Sequence, residues 1–215
     1  DENGRVTFHP KYYRKIVEQV QKECDIIIEL STGGPPAPME EKLTPIRELR
    51  PERASLNIRG SQEEIEYTAH VMRELKVSPV IEAFNIEMIE KANELIKRGL
   101  VQLPVHFELV FDLVSDSNKS VLEDYEEMLK RIRFLYSGSI WSRNRGAHNQ
   151  FALDAITILL GGHVRVGLED NLFMKPGELA RSSAEFVRRV KHLSETLNRK
   201  VATVEEVKKI SGAHH

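Results

Sequence analysis

Cysteine is almost missing from this sequence. Cys24 stands alone among 215 residues, so no intrachain disulfide can staple the fold, and a reducing compartment is expected. An excess of charge is missing too: 31 Lys and Arg against 33 Asp and Glu leave a formal net charge of −2. That gives no electrostatic footprint for nucleic acid or for an anionic membrane surface. No apolar run approaches the roughly 20 residues of a membrane span, and nothing near the start reads as a secretory leader. The expectation is a cytoplasmic protein with neither nucleic acid nor membrane as partner. Internal repeats and low-complexity segments are lacking as well. What remains is ordinary globular material, 40% hydrophobic and 30% charged, sufficient for the core of a single domain over residues 1–215.

Short β-rich runs alternate with longer amphipathic ones. Strands are expected at 25–30, 54–58, 79–84, 105–112, 139–142 and 164–168. Several of these are almost continuously apolar, as parallel strands covered on both faces are. Helical periodicity fills the gaps: 12–22, with Tyr13, Ile16, Val17 and Val20 on one stripe, then 62–75, 86–97, 122–134 and 151–160. Ser61 and Glu64 have the spacing of a capping box before the apolar stripe Ile65, Ala69, Val71 and Met72. Residues 178–197 and 204–210 also read as helical. This alternation implies right-handed crossovers and a parallel sheet. No Gly-rich dinucleotide loop follows a strand, which favours a closed barrel over an open doubly wound sheet. The count gives about six strand–helix units, whereas a (β/α)₈ barrel has eight. The opening Asp1-Glu2-Asn3-Gly4-Arg5 reads as a loop tip, so the first two β/α units are expected upstream of it.

Three segments could carry chemistry. The most informative is Gly161-Gly162-His163-Val164-Arg165-Val166-Gly167-Leu168-Glu169-Asp170-Asn171. On an extended strand His163, Arg165, Gly167 and Glu169 share one face, and Val164, Val166 and Leu168 the other. Burying Arg and Glu inside a barrel is unfavourable unless they pair, bind a metal or meet a charged ligand. The plainer alternative is a structural Arg–carboxylate pair under a loop. The second segment is Ser31-Thr32-Gly33-Gly34-Pro35-Pro36, where hydroxyls and exposed backbone N–H groups could cradle an anion, or where the chain simply turns. The third is Arg50-Pro51-Glu52-Arg53-Ala54-Ser55-Leu56-Asn57, with Gly60-Ser61 close behind and Ser55 and Asn57 on one face. Glu82 is another carboxylate in an apolar strand, and a buried carboxylate without a partner would neutralise or destabilise the fold. His106 and His148 read as structural, His163 sits too deep for the mouth of a barrel, and the Arg143–Arg145 loop reads as solvated.

Together these motifs resemble the β-keto acid cleavage enzymes, typified by the 3-keto-5-aminohexanoate cleavage enzyme of lysine fermentation. The resemblance runs through Ser31 to Gly34, Pro51 to Asn57 with Gly60-Ser61, Pro79 to Phe84 and, most specifically, Gly161 to Asn171. It implies a zinc-dependent (β/α)₈ barrel, typically a homo-oligomer and most often a tetramer. Such an enzyme condenses a β-keto acid with acetyl-CoA to give acetoacetate and a new CoA thioester. By motif position, Glu169 would be a zinc ligand, and Arg165 with Asp170 the dyad that activates the keto acid. Ser31, Gly33, Gly34, Ser55 and Asn57 would hold substrate, and Glu82 would be a further carboxylate of the pocket. The family's zinc histidines match no position here and would belong to the segment preceding Asp1. Two other readings stay open: a truncated homologue kept as an assembly or interaction protein, and another metal-assisted carbon–carbon lyase of aldolase type.

Overall fold

A computed structural model of the chain describes residues 1–110, 121–136, 138–145 and 150–211. They form two compact units. The first comprises residues 1–82, 90–105 and the C-terminal residues from 203, and the second residues 83–89 and 106–202.

The first unit opens with helix α1 (Pro10–Glu23), started by a proline whose missing N–H is no loss in the first turn. Its expected stripe is only half-buried at Tyr13, Val17 and Val20, and Ile16 is exposed. Three strands follow: β1 (Glu29–Leu30), β2 (Arg53–Asn57) and β3 (Ser78–Ala83). They pair in parallel, Leu30 opposite Ala54 and Asn57 opposite Glu82. Between β1 and β2 lie two short helices, α2 (Met39–Lys42) and α3 (Thr44–Leu49), that periodicity did not indicate. Helix α4 (Gln62–Leu75) begins as its motif predicts. Ser61 Oγ accepts the Glu64 N–H at 3.2 Å, and Glu64 Oε2 accepts the Ser61 N–H at 3.0 Å, a reciprocal cap that satisfies two donors the helix leaves open. Ile65, Ala69, Val71 and Met72 are all buried.

Helix α5 (Ile86–Lys97) divides between the two units. The second unit then repeats the alternation: β4 (His106–Val110), α6 (Val121–Leu135), β5 (Ile140–Asn144), α7 (Gln150–Leu159) and β6 (His163–Val164). These strands are parallel too, with Glu108 opposite Ser142 and Ser142 opposite His163. A short antiparallel hairpin, β7 (Phe173–Lys175) and β8 (Glu178–Leu179), precedes α8 (Ser183–Thr196), and α9 (Val204–Ser211) closes the first unit. The helix expected at 178–197 thus starts only at Ser183. Pro176 and Gly177, with φ +77° at Gly177, make the hairpin turn that displaces its first residues.

Alternation along β5 sorts the second unit. Trp141 and Arg143 face the helices, where Trp141 meets Tyr125 of α6 edge-on at 5.9 Å and Arg143 pairs with Asp154 of α7. Gly162 lets the indole in, because a Cβ there would fall on the Trp141 ring. Arg199 then fastens this corner by donating to the carbonyls of Ile158, Gly161 and Gly162 at the end of α7. The other face carries Glu108, Ser142 and His163 in one row across three strands.

Candidate functional site

In the second unit the ladder frays just after β6. The Arg165 N–H still reaches the Arg143 carbonyl at 2.9 Å, but Asp170 and Asn171 both donate to the Gly167 carbonyl at 3.1 Å. The expected strand 164–168 is therefore a two-residue strand followed by a turn over Gly167 to Asn171. Ser183 Oγ pins the turn by accepting the Leu168 N–H at 3.2 Å, and Asn171 Oδ1 closes it by accepting the Phe173 N–H at 2.9 Å.

This turn corrects the expected orientation of the two carboxylates. On a continued strand Glu169 would share the inward face with Arg165. Instead its side chain is 76% exposed, reaching back one helical-type turn to Arg165 Nη2 at 3.1 Å. Asp170 takes the inner position, its side chain only 2% exposed. Leu168, expected under the helices, is exposed. Period-two reasoning fails here because a turn of this kind brings residues four apart together.

Arg165 is the centre of the arrangement. Its Nε lies 3.3 Å from Asp170 Oδ2, its Nη2 3.4 Å from Asp170 Oδ1, and its Nη1 2.9 Å from Glu108 Oε2. Arg145, in a left-handed conformation at φ +62°, brings a second guanidinium to 4.0 Å from Asp170. Burial pushes the Asp170 carboxyl above its ordinary value, and Glu169 adds to this. Arg165 and Arg145 pull the other way. A guanidinium clasped by buried carboxylates, yet with a third of its own side chain open to solvent, can receive an anion from the solvent side. A carboxylate fixed beside it can take up and return a proton.

Glu108 was not expected. It stands between the fully buried Phe107 and Leu109 on β4, and an acidic residue in so apolar a strand was a signal equal to that of Glu82. Arg143 was misread as a solvated loop residue. It is wholly buried, pairing with Asp154 and also donating to the Arg145 and Gln150 carbonyls. Trp141 belongs to the core. His106 is structural as expected, its Nε2 2.8 Å from Ser142 Oγ. His148, His214 and His215 lie outside the described residues.

The first unit holds the other expected residues. Thr32, one of the hydroxyls of the expected anion cradle, fastens the end of β1 to β2: its N–H donates to Ser55 Oγ at 3.0 Å and its hydroxyl to the Ser55 carbonyl at 2.9 Å. Ser31 Oγ accepts the Gly33 N–H at 3.0 Å, so part of the supposed anion cradle is closed on itself. Gly34 adopts φ +137°, and a Cβ there would stand 2.9 Å from Phe8, so both conformation and space require glycine. Asn57 Oδ1 accepts the Arg59 N–H at 2.9 Å. Gly33, Gly34, Asn57 and Arg59, with Thr32 and Lys42, line a recess of about 250 Å³. Asn57 and Glu82 are partners across β2 and β3, which places both side chains on one face.

A family model described as beta-keto acid cleavage enzyme matches residues 1–212. The chain belongs to that family. It is 34% identical to the 3-keto-5-aminohexanoate cleavage enzyme of Fusobacterium nucleatum, over 98% of this chain and 79% of that protein. It is 29% identical to the 3-oxoadipate:acetyl-CoA acetyltransferase of Cupriavidus necator, over 94% of this chain and 75% of that one. Among solved structures it matches ObcA in a binary complex with oxaloacetate, with a TM-score of 0.82 at 19% identity over 98% of this chain. That likeness establishes a shared fold. The chain spans 57% of the length of ObcA.

The resemblance implies a zinc ion. Among the described residues no group of three or more His, Cys, Asp or Glu could hold a metal ion, and a catalytic zinc needs about three protein ligands. Glu169, the expected ligand, offers an exposed carboxylate that is paired with Arg165. The described residues therefore do not make up a zinc site.

Proposed function

We propose that this chain is the greater part of a (β/α)₈-barrel β-keto acid cleavage enzyme that converts a β-keto acid and acetyl-CoA into acetoacetate and a new CoA thioester. The observation that carries the reading is the Arg165–Asp170 pair, held in the turn after β6 with a third of the Arg165 side chain open to solvent, in a chain of this family. The name of the Cupriavidus relative, an acetyl-CoA acetyltransferase acting on 3-oxoadipate, supports the co-substrate.

In this reading Asp170 takes a proton from the carbon between the keto and carboxylate groups. Arg165, always protonated, orients the anionic substrate and offsets the negative charge that develops. The carbanion attacks the thioester carbonyl, a carbon–carbon bond forms, and the CoA thiolate leaves. The thiolate then adds to the original keto carbon, the older carbon–carbon bond breaks, and Asp170 returns the proton to the departing acetoacetate. Ser31, Gly33, Gly34, Ser55 and Asn57 are the proposed substrate-binding residues and Glu82 a further pocket carboxylate. Zinc is kept as a proposed cofactor to which Glu169 gives one ligand, the others coming from residues outside the described set.

The test is a screen of β-keto acids with and without acetyl-CoA, following acetoacetate and the new thioester together. Equal amounts of both products, formed only when acetyl-CoA is present, are expected. Cleavage that proceeds without any acyl-CoA would replace this reading with an aldolase-type lyase. Zinc is tested separately by metal analysis. Glu169→Gln should lower zinc content, because an amide is a poorer ligand, and Asp170→Asn should leave it unchanged.

A further inference from the structure

Arg165 is gripped from two sides, and only one of the two grips belongs to the dyad. Asp170 holds Nε and Nη2, while Nη1 points to Glu108 on β4, 57 residues away in sequence and 2.9 Å away in space. We infer that Glu108 is a positioning residue for the proposed reaction, fixing the orientation of the Arg165 guanidinium against Asp170 and toward the substrate. The inference rests on the function proposed above and adds to it a residue that acts through Arg165 without touching the substrate.

The geometry supports this in three ways. The Glu108 side chain is 4% exposed, and an ionised carboxylate so enclosed persists only when a cation and hydrogen bonds compensate its lost hydration. Its neighbours Phe107 and Leu109 are wholly buried on a strand paired over its full length with β5, so the carboxylate stands on a rigid support. A planar guanidinium held at Nη1 by one carboxylate and at Nε by another cannot turn about its own axis without losing both bonds. Nη2 also meets Glu169 at 3.1 Å, and because Glu169 is the exposed one of the three carboxylates, it is the one an incoming carboxylate would displace.

A purely structural ion pair makes a different prediction, and a double-mutant cycle separates the two. Misplacement of a catalytic group by about 1 Å costs on the order of 10²-fold in rate, so Glu108→Leu should lower kcat/KM for the keto acid by about that factor and leave the KM for acetyl-CoA unchanged. Glu108→Gln, which keeps one acceptor oxygen of the same reach, should recover part of the loss. In the Arg165→Lys background, where no planar fork remains to be aligned, both substitutions should add little. Losses that multiply in the double variants, or wild-type kinetics in Glu108→Leu, would overturn the inference. NMR of the Arg165 Nε–Hε group gives a readout independent of turnover: ordered in the wild-type protein, motionally averaged in Glu108→Leu. If the protein shows no acetyl-CoA-dependent turnover, the proposed function falls, and the NMR comparison still decides the role of Glu108. An Arg165 signal equally ordered in both proteins contradicts it.

Discussion

Two arginines of the second unit are each matched to a buried carboxylate, and they do different things. Arg143 pairs with Asp154 on the helix-facing side of β5, with 0% and 2% of the two side chains exposed. Arg165, one strand further on and on the opposite face, keeps 34% of its side chain exposed and collects three carboxylates, Glu108, Glu169 and Asp170. The first arrangement is closed to solvent, and the pair holds α7 to its strand. The second keeps a third of the arginine side chain exposed, and one of its carboxylates, Glu169, is itself exposed, so a substrate anion can take that carboxylate's place. Burial and pairing alone would not have told these two sites apart. Their strand faces and their access to water do.

The comparison breaks most visibly if the two arginines are removed in parallel. Arg143→Leu leaves Asp154 buried without its cation, and losing one partner of a buried pair typically costs about 3–5 kcal/mol. Denaturant unfolding should show that loss. Arg165→Leu also strands two enclosed carboxylates, Glu108 and Asp170, so it should destabilise to a similar extent, and it alone should lower turnover of the folded protein, by roughly 10²–10³-fold, the range found when a charge-stabilising donor is removed. The reverse pattern in rate, with turnover of the folded protein lost in Arg143→Leu and kept in Arg165→Leu, would exchange their roles.

A smaller effect tests the packing behind the closed site. Gly162→Ala places a methyl against the Trp141 ring, and overpacking of this kind costs about 1–3 kcal/mol. The melting temperature should fall accordingly, and an unchanged value would mean that the indole has room to move.

The smallest effect is a pH dependence. Burial pushes the Asp154 carboxyl up from 3.8 to about 6, with Arg143 only partly opposing the shift. Between those two values the folded protein holds a proton that the unfolded chain has released. This contribution to stability is therefore present at low pH and lost as pH rises through about 6. Measured between pH 4 and 7, the stability of the wild type relative to Asp154→Asn should decline and then level off. A rise over the same interval would show that Arg143 holds the carboxyl below its ordinary value.

Much of this was legible in the residues. Apolar strands alternating with amphipathic helices gave the parallel α/β order, and the capping box at Ser61 and Glu64 marked the start of α4. Alternation along His163, Val164 and Arg165 placed Arg165 on the face away from the helices. Legibility ended where the period changed. From Gly167 the chain turns, so Glu169 and Asp170 exchange the positions a strand would give them. Arg143 was misjudged because its neighbours read as a loop, although Trp141 two residues earlier already marked that face as core. Glu108 was missed for the opposite reason: its strand was so apolar that one acidic residue drew no notice. Thr32 and Ser55 have the composition of a substrate cradle, and only coordinates could show how far they are engaged with each other.

The central claim is that the open cluster performs the acid–base chemistry, with Asp170 as its proton carrier. It is tested most directly by acetyl-CoA-dependent release of acetoacetate from a β-keto acid, measured for wild type and Asp170→Asn at matched folded content. The account predicts turnover in the wild type and a loss of about 10²–10⁴-fold in the variant, the usual worth of a positioned general base. An Asp170→Asn enzyme turning over at the wild-type rate would contradict it.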